Sequence, residues 1–161
     1  MRMQQLIDGY LAGPKALRQA VTGMSQEQIL ARPLPGKWST LEVVCHLADF
    51  EPVYADRMKR IIAEDQPVFM SADEQRYAAS LAYQDRNLEE ELSLIEHTRN
   101  QLARILRKLP AEVLERTGIY RHEGKDDPRT LEGLLTIITN HIPHHAKFIR
   151  EKRRAFGLPD Q

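Results

Sequence analysis

Apolar residues recur at steps of three and four through most of this chain, a period that a helix can bury along one face and a strand cannot. Four long stretches carry it. The first covers about residues 3–21, with Leu6, Tyr10, Leu17 and Val21 inward, and Gly13-Pro14 is expected to bend or split it. The second runs from Ser39 to about Ala63 with Pro52 inside it as an expected kink. The third starts at Asn87, ends before Pro110 and buries Leu88, Leu92, Ile95, Leu102, Ile105, Leu106 and Leu109. The fourth runs from about Thr130 to Phe156 and is stopped by Gly157 and Pro159.

Local signals place the ends of these helices. Ser39-Thr40-Leu41-Glu42 is a capping box, in which a serine hydroxyl and a glutamate three residues later satisfy each other's free amides. Ser25-Gln26-Glu27-Gln28 has the same form and opens a short extra helical turn through Ile29 and Leu30. Asn87 caps the third helix, with Glu90 reaching back to it, and Asp127 or Thr130 caps the fourth. Between the second and third helices, residues 65–83 form a long connection with room for one helical turn. Alternating β-branched runs and Asn-Gly or Asp-Gly turns are lacking, so residues 118–129, GIYRHEGKDDPR, read as a polar loop. The expected fold is an all-α four-helix bundle, one domain over residues 1–161.

Charge and cysteine content narrow the function classes. Lys plus Arg and Asp plus Glu are both 23, which removes any overall attraction to nucleic acid or an anionic membrane. No stretch has the apolar length of a membrane span, and the N-terminal residues lack the apolar core of an export signal. The lone cysteine, Cys45, cannot form an intramolecular disulfide and fits a reducing compartment, so the cytoplasm is the expected location.

The chemistry lies in residues 140–149, NHIPHHAKFI. Along the fourth helix the inward positions are Leu131, Leu134, Ile138, His141, His145 and Phe148, so two histidines stand where leucine is expected. Being four apart, they stack with their Cβ atoms roughly 6 Å from each other, the spacing by which one helix offers two imidazoles to one metal ion. On the second helix the series Val43, His46, Phe50, Val53 puts His46 on an apolar stripe too. Three neutral imidazoles from two facing helices would leave coordination positions open, as catalytic metal sites do. His144 turns about 100° away, to a flank. Pro143 lies between the paired histidines and removes an amide, so a kink or break is expected there.

These stretches also resemble a known family. Gly36-Lys37-Trp38-Ser39, Glu42-Val43-Val44 and His46-Leu47-Ala48-Asp49 are similar to the start of the second helix of DinB/YfiT-like proteins. Arg129-Thr130-Leu131-Glu132 through His141-x-x-His144-His145 and Ile149 resembles the fourth helix of that family. The resemblance implies a four-helix bundle with an unusual connection, often a homodimer, and a divalent metal ion such as zinc or nickel on His46, His141 and His145. It also implies metal-dependent hydrolysis, or transfer or isomerisation of a small-molecule substrate using a low-molecular-weight thiol. The contrasting reading is a non-catalytic stress-response or binding bundle that keeps the fold.

Other residues carry weaker signals. Asp49, three after His46, is expected either to orient a ligand imidazole or take a proton from bound water, or else to face solvent or take part in an ion pair. Cys45 reads as core filling, His122-Glu123 as a solvated loop or a roof over the site, and His97 as exposed. Trp38 and Tyr54 read as packing anchors or pocket walls. The cations Lys147, Arg150, Lys152, Arg153 and Arg154 read chiefly as a helix C-terminus complementing its dipole, ahead of a site for phosphate or nucleic acid.

Overall fold

The computed structural model describes residues 2–159. The four long helices form where the apolar period runs: α1 (Arg2–Val21), α3 (Thr40–Ala63), α5 (Leu88–Leu106) and α6 (Leu131–Ala155). Two short helices join them, α2 (Gln26–Leu30) and α4 (Glu74–Ser80), together with 3-10 turns at Tyr83–Asp85 and Ala111–Glu115. Both capping boxes are made as written: Ser25 and Gln28 close α2, and Ser39 and Glu42 close α3. Thr130 caps α6 through the Gly133 amide. Asn87 alone caps α5, accepting from the Glu89 and Glu90 amides. Ser39 is fully buried, so losing its hydroxyl strands the Glu42 amide. Ser39→Ala should cost about 1–2 kcal/mol in urea denaturation, and an unchanged midpoint would contradict this.

Around the bundle, α1 lies against α5 and α6, and α3 lies against the same two helices. One end of the core gathers Leu17 and Val21 of α1, Leu41–Ala48 of α3, Leu92 and Ile95 of α5, and Ile142 and Ile149 of α6. The other gathers Ile7 and Tyr10, Met58 and Ile61, Leu102–Leu106, and Leu131–Ile138. Thus α1 and α6 run one way, and α3 and α5 run the other. Because α3 and α5 are parallel, the chain between them must travel the length of the bundle, roughly 28 Å for a helix the size of α5. This is why the connection is long. It starts at the end holding Phe69 and arrives at the end holding Tyr83.

Beside the expected helical bundle the chain forms a small three-stranded sheet. Strand β1 (Val68–Met70) lies parallel to β2 (Thr117–His122), which pairs antiparallel with β3 (Lys125–Thr130). The residues read as a polar loop are therefore a hairpin. Its turn is Glu123-Gly124, both with positive φ (49° and 74°), the handedness that suits a two-residue hairpin. One face of β2 packs Tyr120 toward the core, while β3 stays mostly exposed, so no clear alternation marks the segment.

The prolines do not break their helices: α1 continues through Pro14, α3 through Pro52 and α6 through Pro143. At Pro14 a tertiary contact offsets the loss. Pro14 has no amide to donate to the Tyr10 carbonyl, and Arg99 donates to that oxygen from Nη1 at 2.7 Å. Gly13 leaves the space for this guanidinium, since a Cβ there would overlap it.

Candidate metal centre

The α3–α6 contact brings His46 onto the histidine pair of α6. His46 Nε2 stands 3.0 Å from His141 Nε2, and one nitrogen from each of His46, His141 and His145 lies within 4.8 Å of the others. The ring centroids lie 4.6–4.9 Å apart, with His141 edge to face against both His46 and His145. The register predicted from the three-and-four spacing is thus realised in space, and Pro143 leaves it intact. His144 is exposed on the flank.

Each imidazole is held neutral. Burial pulls His46 down to about 4. Burial, then repulsion from the neighbouring histidines, pulls His141 and His145 down to about 3. At neutral pH all three therefore present lone pairs. Two neutral rings meeting nitrogen to nitrogen can share only one proton, and the Nδ1 atoms of His46 and His141 are buried without partners. Such a cluster is costly without a cation. Tetrahedral coordination at about 2.1 Å places donor nitrogens about 3.4 Å apart. Three imidazole nitrogens within 4.8 Å of one another, two of them 3.0 Å apart, are a donor set that fits a divalent ion.

Surrounding residues shape the approach. Trp38 and Phe50 pack against the His46 ring at 5.3 and 4.8 Å. Beside His145 opens a cavity of about 430 Å³, walled by Trp38, Val43, Glu74, Phe148 and Lys152 among others. Glu74, the first residue of α4, places Oε2 3.8 Å from His46 Nε2. It is carried there because Tyr77, one turn on, packs its ring on Phe50 at 5.3 Å. Glu74 was not found by sequence reasoning. Its only local signal is the Asp73 cap that starts α4, and its approach to His46 depends on the crossing connection.

The remaining expectations resolve plainly. Asp49 is ion-paired with Arg86 at 2.9 Å. Cys45 is buried, points its thiol at the Tyr83 carbonyl and is pushed up to about 12 by burial. His122 and Glu123 sit at the hairpin turn and do not line the cavity, and His97 is exposed. Trp38 is a cavity wall, whereas Tyr54 packs at the other end of the core. Of the basic tail, Arg153 is buried and caps the end of α1 through the Ala20 and Thr22 carbonyls.

With this geometry in place, comparison decides the family. Residues 10–149 match the DinB superfamily. The chain belongs to that superfamily. Among its relatives, a protein of Geobacillus thermodenitrificans named "Putative metal-dependent hydrolase" is 29% identical over 89% of this chain and 80% of its own length. "Putative metal-dependent hydrolase YfiT" of Bacillus subtilis is 28% identical over the same shares. The solved structure of the Bacillus subtilis protein, described as a probable metal-dependent hydrolase with an unusual four-helix bundle topology, superposes with a TM-score of 0.87. That match is 25% identical and covers 98% of this chain and 89% of the other. The DinB-type bundle expected from sequence is therefore shown. No described helix is long and apolar enough to cross a membrane.

Proposed function

We propose that this DinB-superfamily protein is a metal-dependent hydrolase of a small molecule, with His46, His141 and His145 as its metal ligands. The observation that carries the reading is the meeting of three neutral imidazoles, His46 and His141 at 3.0 Å, beside a cavity of about 430 Å³. The names of the relatives support it. Zinc and nickel both suit an imidazole donor set. When bound, a divalent ion at this place would supply Lewis acidity and a water acidified toward neutrality.

The chain's own groups do the rest. One imidazole nitrogen from each of His46, His141 and His145 would hold the ion, with the cavity beside His145 left for substrate. Glu74 Oε2, beside His46 and reachable from solvent, is placed to accept the proton that an attacking water must lose. Trp38, Phe50 and Phe148 bound the site with apolar surface, which strengthens charge interactions within it. Cys45 is excluded as a nucleophile because its thiol stays protonated and faces a carbonyl. Thiol transfer would use the same nitrogens with a thiol in place of water, and Glu74 would take the thiol's proton.

Elemental analysis of untagged protein tests the site. About one equivalent of zinc or nickel is expected in the wild type and none in His141→Ala/His145→Ala. Metal absent from both after incubation with divalent ions would sink the reading. Glu74→Gln should retain the metal while losing hydrolysis of the ester or amide that the wild type accepts, by about 100-fold or more. Unchanged turnover in Glu74→Gln would remove Glu74 from the chemistry.

A further inference from the structure

Lys152 is 2% exposed, yet it lines the cavity beside His145. Its ammonium donates to the Phe148 carbonyl at 3.0 Å and has no carboxylate within ion-pair distance among the described residues. An ammonium has three donors, and burying one without a counter-charge is costly. Glu42, a buried carboxylate whose charge acts on Lys152, is committed to Arg32 and to the Ser39 amide. The other charged groups of the wall, Lys37, Glu74 and Glu151, are exposed or half-buried and remain hydrated. The one charge buried in the wall is therefore positive and has donors to spare.

Its placement is set by the helix. Bonding to the carbonyl four residues back folds the side chain toward the N-terminus of α6, and so toward His145. Phe148 lies three residues beyond His145, about 4.5 Å along the axis. Lys152 and His145, the member of the cluster on the wall, thus line one cavity.

We propose that Lys152 is an anion-recognising residue, and that the cavity takes a small substrate carrying a carboxylate, sulfonate or phosphate group on Lys152 with its reacting end at His46, His141 and His145. The assignment rests on the metal-site reading for the reacting end, and on Lys152 alone for the anion. Charged selection explains why a buried cation is kept beside Trp38, Val43 and Phe148, the apolar part of the wall. A ligand matching both ends would be positioned as well as bound, which fixes the reacting atom near the histidines.

The test uses metal-loaded protein and two probes of equal length, mercaptopropanesulfonate and mercaptopropanol, followed by titration calorimetry and by the fluorescence of Trp38, the single tryptophan. The wild type should bind the sulfonate about tenfold or more tighter than the alcohol. Lys152→Met and Lys152→Gln should bind both equally, with melting temperatures near that of the wild type. Equal binding of the two probes by wild type would overturn the proposal. So would a sulfonate preference that survives both Lys152 variants, or one that disappears in Lys37→Met instead. Metal content of the same samples reads the underlying site separately. Protein that takes up no metal on incubation with divalent ions yet prefers the sulfonate would sink the hydrolase reading and leave the anion site standing.

Discussion

Arg99→Ala is expected to lose about 3–5 kcal/mol of stability, the largest single-residue effect predicted for this protein. Arg99 is 0% exposed and Glu51 1%, at the level where the two ends of the core meet. The guanidinium donates to Glu51 Oε2 from Nε at 3.0 Å and Nη2 at 2.9 Å, to the Tyr10 carbonyl and to the Ile138 carbonyl. Tyr10 donates its hydroxyl to the other Glu51 oxygen at 2.6 Å. One side chain of α5 thereby ties α1, α3 and α6 together. Removing it strands a buried carboxylate and the carbonyl that Pro14 has already left without a helical partner. Breaking a buried pair in this way costs about 3–5 kcal/mol, a large part of an ordinary domain's stability. Burial pushes the Glu51 carboxyl up, and Arg99 is what opposes this. In the variant the penalty should therefore grow as pH rises through the raised Glu51 value, and shrink in acid where Glu51 is neutral. Arg99→Met/Glu51→Leu should recover much of the loss, because an apolar pair leaves no charge uncompensated. Chemical denaturation of the three proteins decides it. A wild-type midpoint for Arg99→Ala would show that the network does not hold the bundle.

The second large effect is on acid stability. In chelator-treated protein, three histidines are held well below their ordinary value near 6.5, His46 to about 4 and His141 and His145 to about 3. These are basic groups with lowered values, so the unfolded chain binds protons that the folded protein refuses. Stability is then full above about pH 6.5 and falls as pH drops toward 4. With up to three protons taken up on unfolding, the slope approaches about 4 kcal/mol per pH unit in that window. The metal-free protein should unfold in acid well before its carboxylates are titrated. An ion that binds only the folded state, present at about 1,000 times its Kd, adds about 4 kcal/mol and should move the acid transition down by about one unit. His141→Ala/His145→Ala should show about one third of the slope and no response to metal. Circular dichroism across pH, with chelator and with zinc, measures all three. Superimposable acid curves for wild type and double variant would refute the neutral cluster.

Much of this was legible from residue order because its causes are local. The periods of α1, α3, α5 and α6, the two capping boxes and the Gly157 stop all act within a few residues. The histidine register followed as well, since steps of three and four place His46, His141 and His145 on inward faces whatever the surroundings. The hairpin was missed because Glu-Gly is a weak turn signal and β3 lies mostly exposed, which erases the alternation that marks a strand.

What residue order determined, then, was which segments are helices and which side chains each must bury. Tertiary structure decided how those faces meet. Pro14 and Arg99 are 85 residues apart, and only packing shows that one leaves the carbonyl the other takes. Glu74 reaches His46 because α3 and α5 run parallel and force the chain to cross the site. Lys152 is a dipole-complementing lysine by sequence, and a buried cation in a cavity wall by structure. Helical period is a property of neighbours along the chain, whereas desolvation and charge depend on neighbours in space.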